Sequence, residues 1–253
     1  MSAAARASGD RRVALVTGGA QGIGRACAQR LAREGCHVVI ADRDPAGEAV
    51  AEIDRVGGSA AYEICDLAAP AAIERLAAGI LERLGRCDVL VNNAAHLIRR
   101  PLSELDLDTW RRILAVNVDA AYLLCRALVP AMIQRGFGRV VNVISNTVWQ
   151  PPPVGLLGYV TSKGAMLGFT RALAVEVGDR GVTVNAVAPG LTRTTSAQDD
   201  LSEEHFAAVR DQQAIKRSLQ PDDIAGTIAF LASDDAALIT GQAIRVDGGF
   251  VTL

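Results

Sequence analysis

Val13-Ala-Leu-Val-Thr17-Gly18-Gly19-Ala20-Gln21-Gly22-Ile23-Gly24 runs from a short apolar stretch through a glycine-rich turn into an amphipathic segment, Ile23 to Arg33. An apolar run without polar alternation suits a strand buried on both faces, as in a parallel sheet covered by helices. Gly18, Gly22 and Gly24 permit a tight turn and close approach of backbone to a ligand. The helix that opens next offers free N–H groups and the positive end of its dipole. That combination suits a pyrophosphate, although a plain strand-to-helix loop also uses glycine. Asp42 adds weight: it ends the second apolar run, His37-Val-Val-Ile-Ala41, where a carboxylate can accept hydrogen bonds from a ribose diol.

Five further runs follow: Ala60 to Ile64, Asp88 to Val91, Arg139 to Ile144, Val182 to Val187 and Ala243 to Val246. Helical patterns separate them: Pro45 to Val56, Pro70 to Leu84, Leu107 to Arg135, Gly158 to Val177 and Pro221 to Ala232. This alternation predicts an α/β chain with a doubly wound, Rossmann-type parallel sheet of about seven strands and helices on both faces. With no repeat or linker to divide them, the 253 residues read as one domain. Residues 191–220 break the rhythm: they are mostly polar, with a short helical stretch around Ser202 to Val209. A long excursion beyond the carboxyl end of a strand is expected to form a lid over the substrate.

Half the residues are hydrophobic (50%) and 21% are charged, which excludes wholesale disorder. Lys and Arg number 26 against 28 Asp and Glu, without a basic stripe, so nucleic acid is not an expected partner. Residues 1–10 are small and polar and read as a flexible tail rather than a secretory signal. The most apolar stretch, Ile113 to Ile133, contains Asn117, Asp119 and Arg126 and reads as a buried helix rather than a membrane span. The five cysteines read as reduced, buried thiols, and the three histidines form no metal cluster. His37 is expected to be structural and His205 to sit on a solvated helix face. A cytoplasmic location is the expectation.

Tyr159 and Lys163 stand at i and i+4 on a helix and so share a face. A phenol beside an ammonium should have its pKa lowered from about 10. It could then take the proton of an alcohol or give one to a carbonyl. With these residues quoted, the chain resembles the short-chain dehydrogenase/reductase family over nearly its whole length. The motifs are Thr17 to Gly24, Asn92-Asn93-Ala94-Ala95, Tyr159-x-x-x-Lys163 and Pro189-Gly190; Ala95 departs from the more common Gly.

The resemblance implies an oxidoreductase in which Tyr159 is the acid/base and Lys163 tunes it and holds the ribose. It implies a serine that polarises the carbonyl, and Asn117 beside Lys163 in a proton relay. Aligning on strand five, Val140-Val-Asn-Val-Ile-Ser145, makes that serine Ser145, whereas counting back from Tyr159 lands on Asn146. Asp66 and Leu67 are implied near the adenine, Asn93 and Ala94 beside the cofactor, and Thr194 at the nicotinamide side. A homotetramer is implied, with the helices around Asn117 and after Tyr159 at the interfaces.

Asp42 would repel a 2′-phosphate, and Gln21 brings no charge to the turn, so NAD is expected over NADP. Arg43 is the counter-signal, since a guanidinium could grip that phosphate. The substrate pocket is expected around His96 to Ile98, Thr147 to Leu157 and the lid, with His96, Asn146, Trp149, Leu156 and Leu191 among its walls. The apolar loop with Trp149 points to a hydrophobic secondary alcohol or ketone. Two alternatives stay open: an NADPH-dependent reductase of 3-oxoacyl thioesters, and a catalytically silent dinucleotide-binding protein.

Overall fold

A computed structural model describes residues 11–252, so the expected tail, residues 1–10, lies outside the described residues. The strands are β1 (Val13–Thr17), β2 (His37–Asp42), β3 (Ser59–Ile64), β4 (Val89–Asn92), β5 (Gly138–Val143), β6 (Val182–Pro189) and β7 (Ala243–Val246). All pair in parallel in the order β3-β2-β1-β4-β5-β6-β7. The helices are α1 (Gly22–Arg33), α2 (Gly47–Arg55), α3 (Pro70–Leu84), α4 (Leu107–Leu114), α5 (Ala120–Arg135), α6 (Leu157–Val177), α7 (Thr195–Asp200), α8 (Glu203–Gln212) and α9 (Pro221–Ala232).

The unbroken apolar runs have a simple cause. In β1, Ala14 and Val16 pack with Leu31 of α1 and Ile228 of α9 on one face of the sheet. Val13 and Leu15 pack with Ile80 of α3 and Leu128 of α5 on the other. Both parities are buried, so both must be apolar. Chain order reverses between β1 and β4, and the crevice beyond the carboxyl ends of these strands is where such a sheet receives ligands.

The long helix expected over Leu107 to Arg135 forms, but it carries a π-helical turn at Ala115–Asp119. This widened turn changes the facing of the residues within it. Asn117 is buried there at 4% exposure. By length and composition alone, Leu107–Arg135 could cross a membrane. Its Ile113, Leu124, Leu128 and Met132 are instead fully buried in the protein.

The excursion after β6 is more ordered than its polar composition suggests. Thr194 and Ser202 each place a hydroxyl oxygen to accept from the backbone N–H three residues on, which starts α7 and α8. A bridge between Thr192 and Leu219 closes its two ends. Phe206 anchors it, 2% exposed, with the Arg193 guanidinium 4.6 Å from its ring centre.

Candidate active site

Gly18 and Gly22 have φ of +67° and +57°, the left-handed region that glycine adopts without strain. Gly24 is glycine for another reason: a Cβ there would lie 2.0 Å from Gly18 O. The turn is braced by β4. Asn93 Nδ2 donates to Thr17 O (2.9 Å) and Gly18 O (3.1 Å), while Asn93 N and Ala94 N both donate to Thr17 Oγ1. Gln21, the residue before α1, gives no side-chain acceptor to the helix, which leaves its N-terminal donors for a ligand.

The groove beyond this turn has a volume of about 440 Å3. Gly18, Gln21, Gly22, Ile23 and Gly24 form its phosphate end, and Asn93, Ala94 and Thr194 its middle. Asp42 and Arg43 stand at one wall, and Asp66 and Leu67 at another. The Asp42 carboxylate accepts from Ala20 N (2.9 Å) and Asp44 N (3.2 Å), so it ties the glycine turn to the end of β2. Arg43 is exposed and pairs with Asp44 at 3.5 Å. Asp66 is held below the usual carboxylate range, first by the Ala68 backbone N–H and then by Arg112. A glycine turn with left-handed φ, an uncapped helix start and a long groove ending in a carboxylate fit a dinucleotide in size and chemistry.

At the other end, Ser145 follows β5, and its hydroxyl is near enough to the Tyr159 phenol to favour the phenolate. Ser145 Oγ also accepts from Thr147 N (3.2 Å) and Thr147 Oγ1 (2.9 Å). The side-chain amide of Asn146 turns away, donating to Asp247 Oδ2 at 3.4 Å. The geometry thus brings Ser145, not Asn146, to the phenol. Lys163 is 2% exposed, donates to Val143 O at 2.7 Å, and lies 5.5 Å from the Tyr159 ring centre.

The expected lowering of the phenol by this ammonium does not occur in the protein by itself. Burial pushes the Tyr159 pKa up to about 12, opposed by Ser145 and by the charge of Arg99. Burial also pushes Lys163 down to about 8. The ammonium is committed to the Val143 carbonyl and lies 5.5 Å from the ring centre. Desolvation therefore wins.

Asn117 Oδ1 accepts from His96 N at 2.6 Å, and its Nδ2 donates to His96 O (3.3 Å) and Ser162 Oγ (2.9 Å). Ser162 Oγ in turn donates to Tyr159 O at 2.7 Å. Asn117, Lys163 and Asn92 also line a cavity of about 10 Å3, and Asn92 Oδ1 is buried without a partner.

A second cavity, of about 550 Å3, adjoins the groove through Ile23, Asn93, Leu97 and Thr194. Ser145, Tyr159 and Lys163 line it, with Pro189 and Gly190 at the end of β6. Asn146, Leu156 and Leu191, three of the residues read from the sequence as pocket walls, are among its lining. Trp149 is not: it packs beside Ile144 and Met166, with the Arg245 guanidinium 5.3 Å from its ring centre. The short 3-10 turn Asn146–Val148 carries Trp149 away from the cavity. His96 also misses this cavity, because Asn117 holds its backbone so that it faces the cofactor groove. His205 is exposed on α8, the solvated position expected of it, and also reaches the cavity rim. His37 bonds Ser59 across the strands and is structural. Arg99 was missed. It stands one residue beyond the expected pocket segment, and its signal was a pair of arginines with no carboxylate before Glu104.

A family model described as enoyl-(acyl carrier protein) reductase matches residues 18–251. The chain is 38% identical to dehydrogenase/reductase SDR family member 4 of Pongo abelii, covering 94% of this chain and 87% of that one. It is also 38% identical to a 3-oxoacyl-[acyl-carrier-protein] reductase of Synechocystis, covering 95% and 97%. A solved structure of a candidate NAD(P)-dependent gluconate 5-dehydrogenase from Beutenbergia cavernae, with bound NADP, superposes with a TM-score of 0.90. That protein is 41% identical, with 94% of this chain and 96% of the other covered. The glycine turn, the groove and these relatives together make the chain an NAD(P)-binding oxidoreductase that belongs to the short-chain dehydrogenase/reductase family.

Proposed function

We propose that the protein interconverts a secondary alcohol and its ketone with NAD(H), on a substrate with a hydrophobic body. The observation that carries this reading is that Ser145, Tyr159 and Lys163 together line an apolar cavity that adjoins a dinucleotide-sized groove. When bound, the nicotinamide supplies or receives the hydride. The protein does the rest. Ser145 donates to the carbonyl oxygen and stabilises the charge that develops there. Tyr159 gives that oxygen its proton, or removes it in the oxidative direction. Lys163 and a cationic nicotinamide ring both favour the phenolate against the burial that opposes it. The 10 Å3 cavity between Asn117 and Lys163 is about the size of one water and supports a proton relay through them.

Asp42 supports NAD, because both its oxygens are fixed at the end of β2, where a 2′-phosphate would meet a carboxylate. The exposed Arg43 and the NADP bound to the Beutenbergia protein favour NADP as the second reading. Catalytic efficiencies with NADH and NADPH separate the two. A panel of ring ketones, aliphatic ketones and 3-oxoacyl thioesters tests the substrate class. Turnover of thioesters alone, with NADPH, overturns the reading in favour of the Synechocystis relative's named activity. Absence of any turnover leaves a silent dinucleotide-binding protein. The homotetramer is also part of this proposal, supported by the exposed Tyr122 of α5 and Val175 of α6, and sedimentation tests it.

A further inference from the structure

The larger cavity is apolar in bulk but one-sided in charge. Among the described residues no Asp or Glu lines it, while two cations do, Lys163 and Arg99. The Lys163 ammonium is buried and engaged with Val143 O. Arg99 is exposed and makes no ion pair or side-chain hydrogen bond among the described residues. That sets it apart from most arginines here. Arg12, Arg25, Arg30, Arg86, Arg112, Arg193 and Arg217, for example, each have a carboxylate partner.

Nor is Arg99 a loosely placed surface residue. Arg100 N donates to Gly155 O at 2.8 Å, which fixes this segment against the loop that follows Pro151 to Pro153. A Cβ built on Gly155 would lie 3.9 Å from the Cβ of Arg99. The Arg99 charge is felt at the Tyr159 phenol, so it stands within electrostatic reach of the reacting oxygen. A guanidinium offers a planar pair of donors that matches a carboxylate. A cavity lined by one sign of charge with low-dielectric walls concentrates the opposite ion.

We propose that the substrate carries a carboxylate received by Arg99, which makes the protein a dehydrogenase of hydroxy acids with an apolar body and a reductase of the matching oxo acids. This rests on the alcohol/ketone reading above and narrows its substrate class. Arg99 then sets specificity without taking part in proton or hydride transfer, and it fixes which end of the substrate faces Tyr159.

The test compares para-acetylbenzoate with its uncharged isostere para-acetylbenzamide, in the native protein and in Arg99→Gln, Arg99→Lys and Arg100→Gln. The native protein should reduce the acid with a kcat/KM at least about tenfold above the amide, the scale of one charge-assisted pair. Arg99→Gln should remove that preference by raising KM for the acid, with the amide changed less than about twofold. Arg99→Lys should keep a preference of the same sign, and Arg100→Gln should behave as native. Equal use of acid and amide by the native protein, or an equal loss for both in Arg99→Gln, overturns the proposal. If neither compound is reduced with NADH or NADPH, the alcohol/ketone reading fails. Calorimetric binding of the two compounds to the NAD+-loaded protein then decides the anion site separately: tighter acid binding lost in Arg99→Gln supports it, and equal binding refutes it.

Discussion

Replacing Asn117 by Ala tests whether the π-turn holds the active site together. Three contacts vanish: the 2.6 Å bond from His96 N, the 3.3 Å bond to His96 O and the 2.9 Å bond to Ser162 Oγ. The decisive loss is the His96 N–H, part-buried and left without an acceptor, at about 1–3 kcal/mol. Water can reach the enlarged space beside the existing 10 Å3 cavity and recover part of this, so about 2 kcal/mol is expected. For a chain of this size that is a fall in Tm of about 4–8 °C. Turnover should fall further than stability suggests, by about ten- to a hundredfold. Asn117 holds the His96–Leu97 segment, which walls both cavities, and through Ser162 it reaches the turn that carries Tyr159. Thermal melts and steady-state rates of Asn117→Ala, Ser162→Ala and the double variant form a cycle with an expected coupling of about 1 kcal/mol. Additive effects, or Asn117→Ala with native Tm and turnover, would refute the bracing argument.

Three other outcomes follow from the same geometry. Ser145→Ala should lower kcat by about a hundredfold or more, whereas Asn146→Ala, whose amide serves Asp247, should mainly lower Tm; paired rate and melting measurements check the contrast. Asp42→Ser should shift the ratio of kcat/KM for NADH over NADPH towards NADPH by about tenfold or more; an unchanged ratio removes Asp42 from cofactor choice. Lys163 has its pKa lowered from 10.5 to about 8 by burial. Between those values the unfolded chain binds the proton and the folded one does not, so its contribution to stability rises as pH rises from about 8 to 10.5. That shift corresponds to about 3 kcal/mol, so the stability of Lys163→Met relative to native should fall over this range, read from denaturant unfolding at several pH values.

The fold was legible because each strand is buried on both faces. A sequence such as Val13 to Thr17 then needs apolar side chains at both parities, and its glycine turn marks where the sheet reverses. Tyr159 and Lys163 were legible because one helix fixes their spacing. What the sequence could not show came from backbone geometry between elements. Trp149 is a large apolar residue in an apolar loop, but a short 3-10 turn carries it into the core beside Met166. The facing of Asn117 depends on a π-turn that no periodicity announces. The direction of the Tyr159 shift depends on burial, which outweighs the ammonium that spacing alone brings near. Arg99 looks like any surface arginine until the fold removes every carboxylate from its cavity.

Tyr159→Phe, assayed with the best ketone and alcohol from the panel, tests the central claim most directly. The variant keeps the ring that Lys163 faces and loses only the hydroxyl. The account expects kcat to fall by at least about a hundredfold in both directions, while reduced-nicotinamide binding, followed by its fluorescence, stays within about twofold of native. Native turnover in Tyr159→Phe with the cofactor still bound would mean that another group moves the proton.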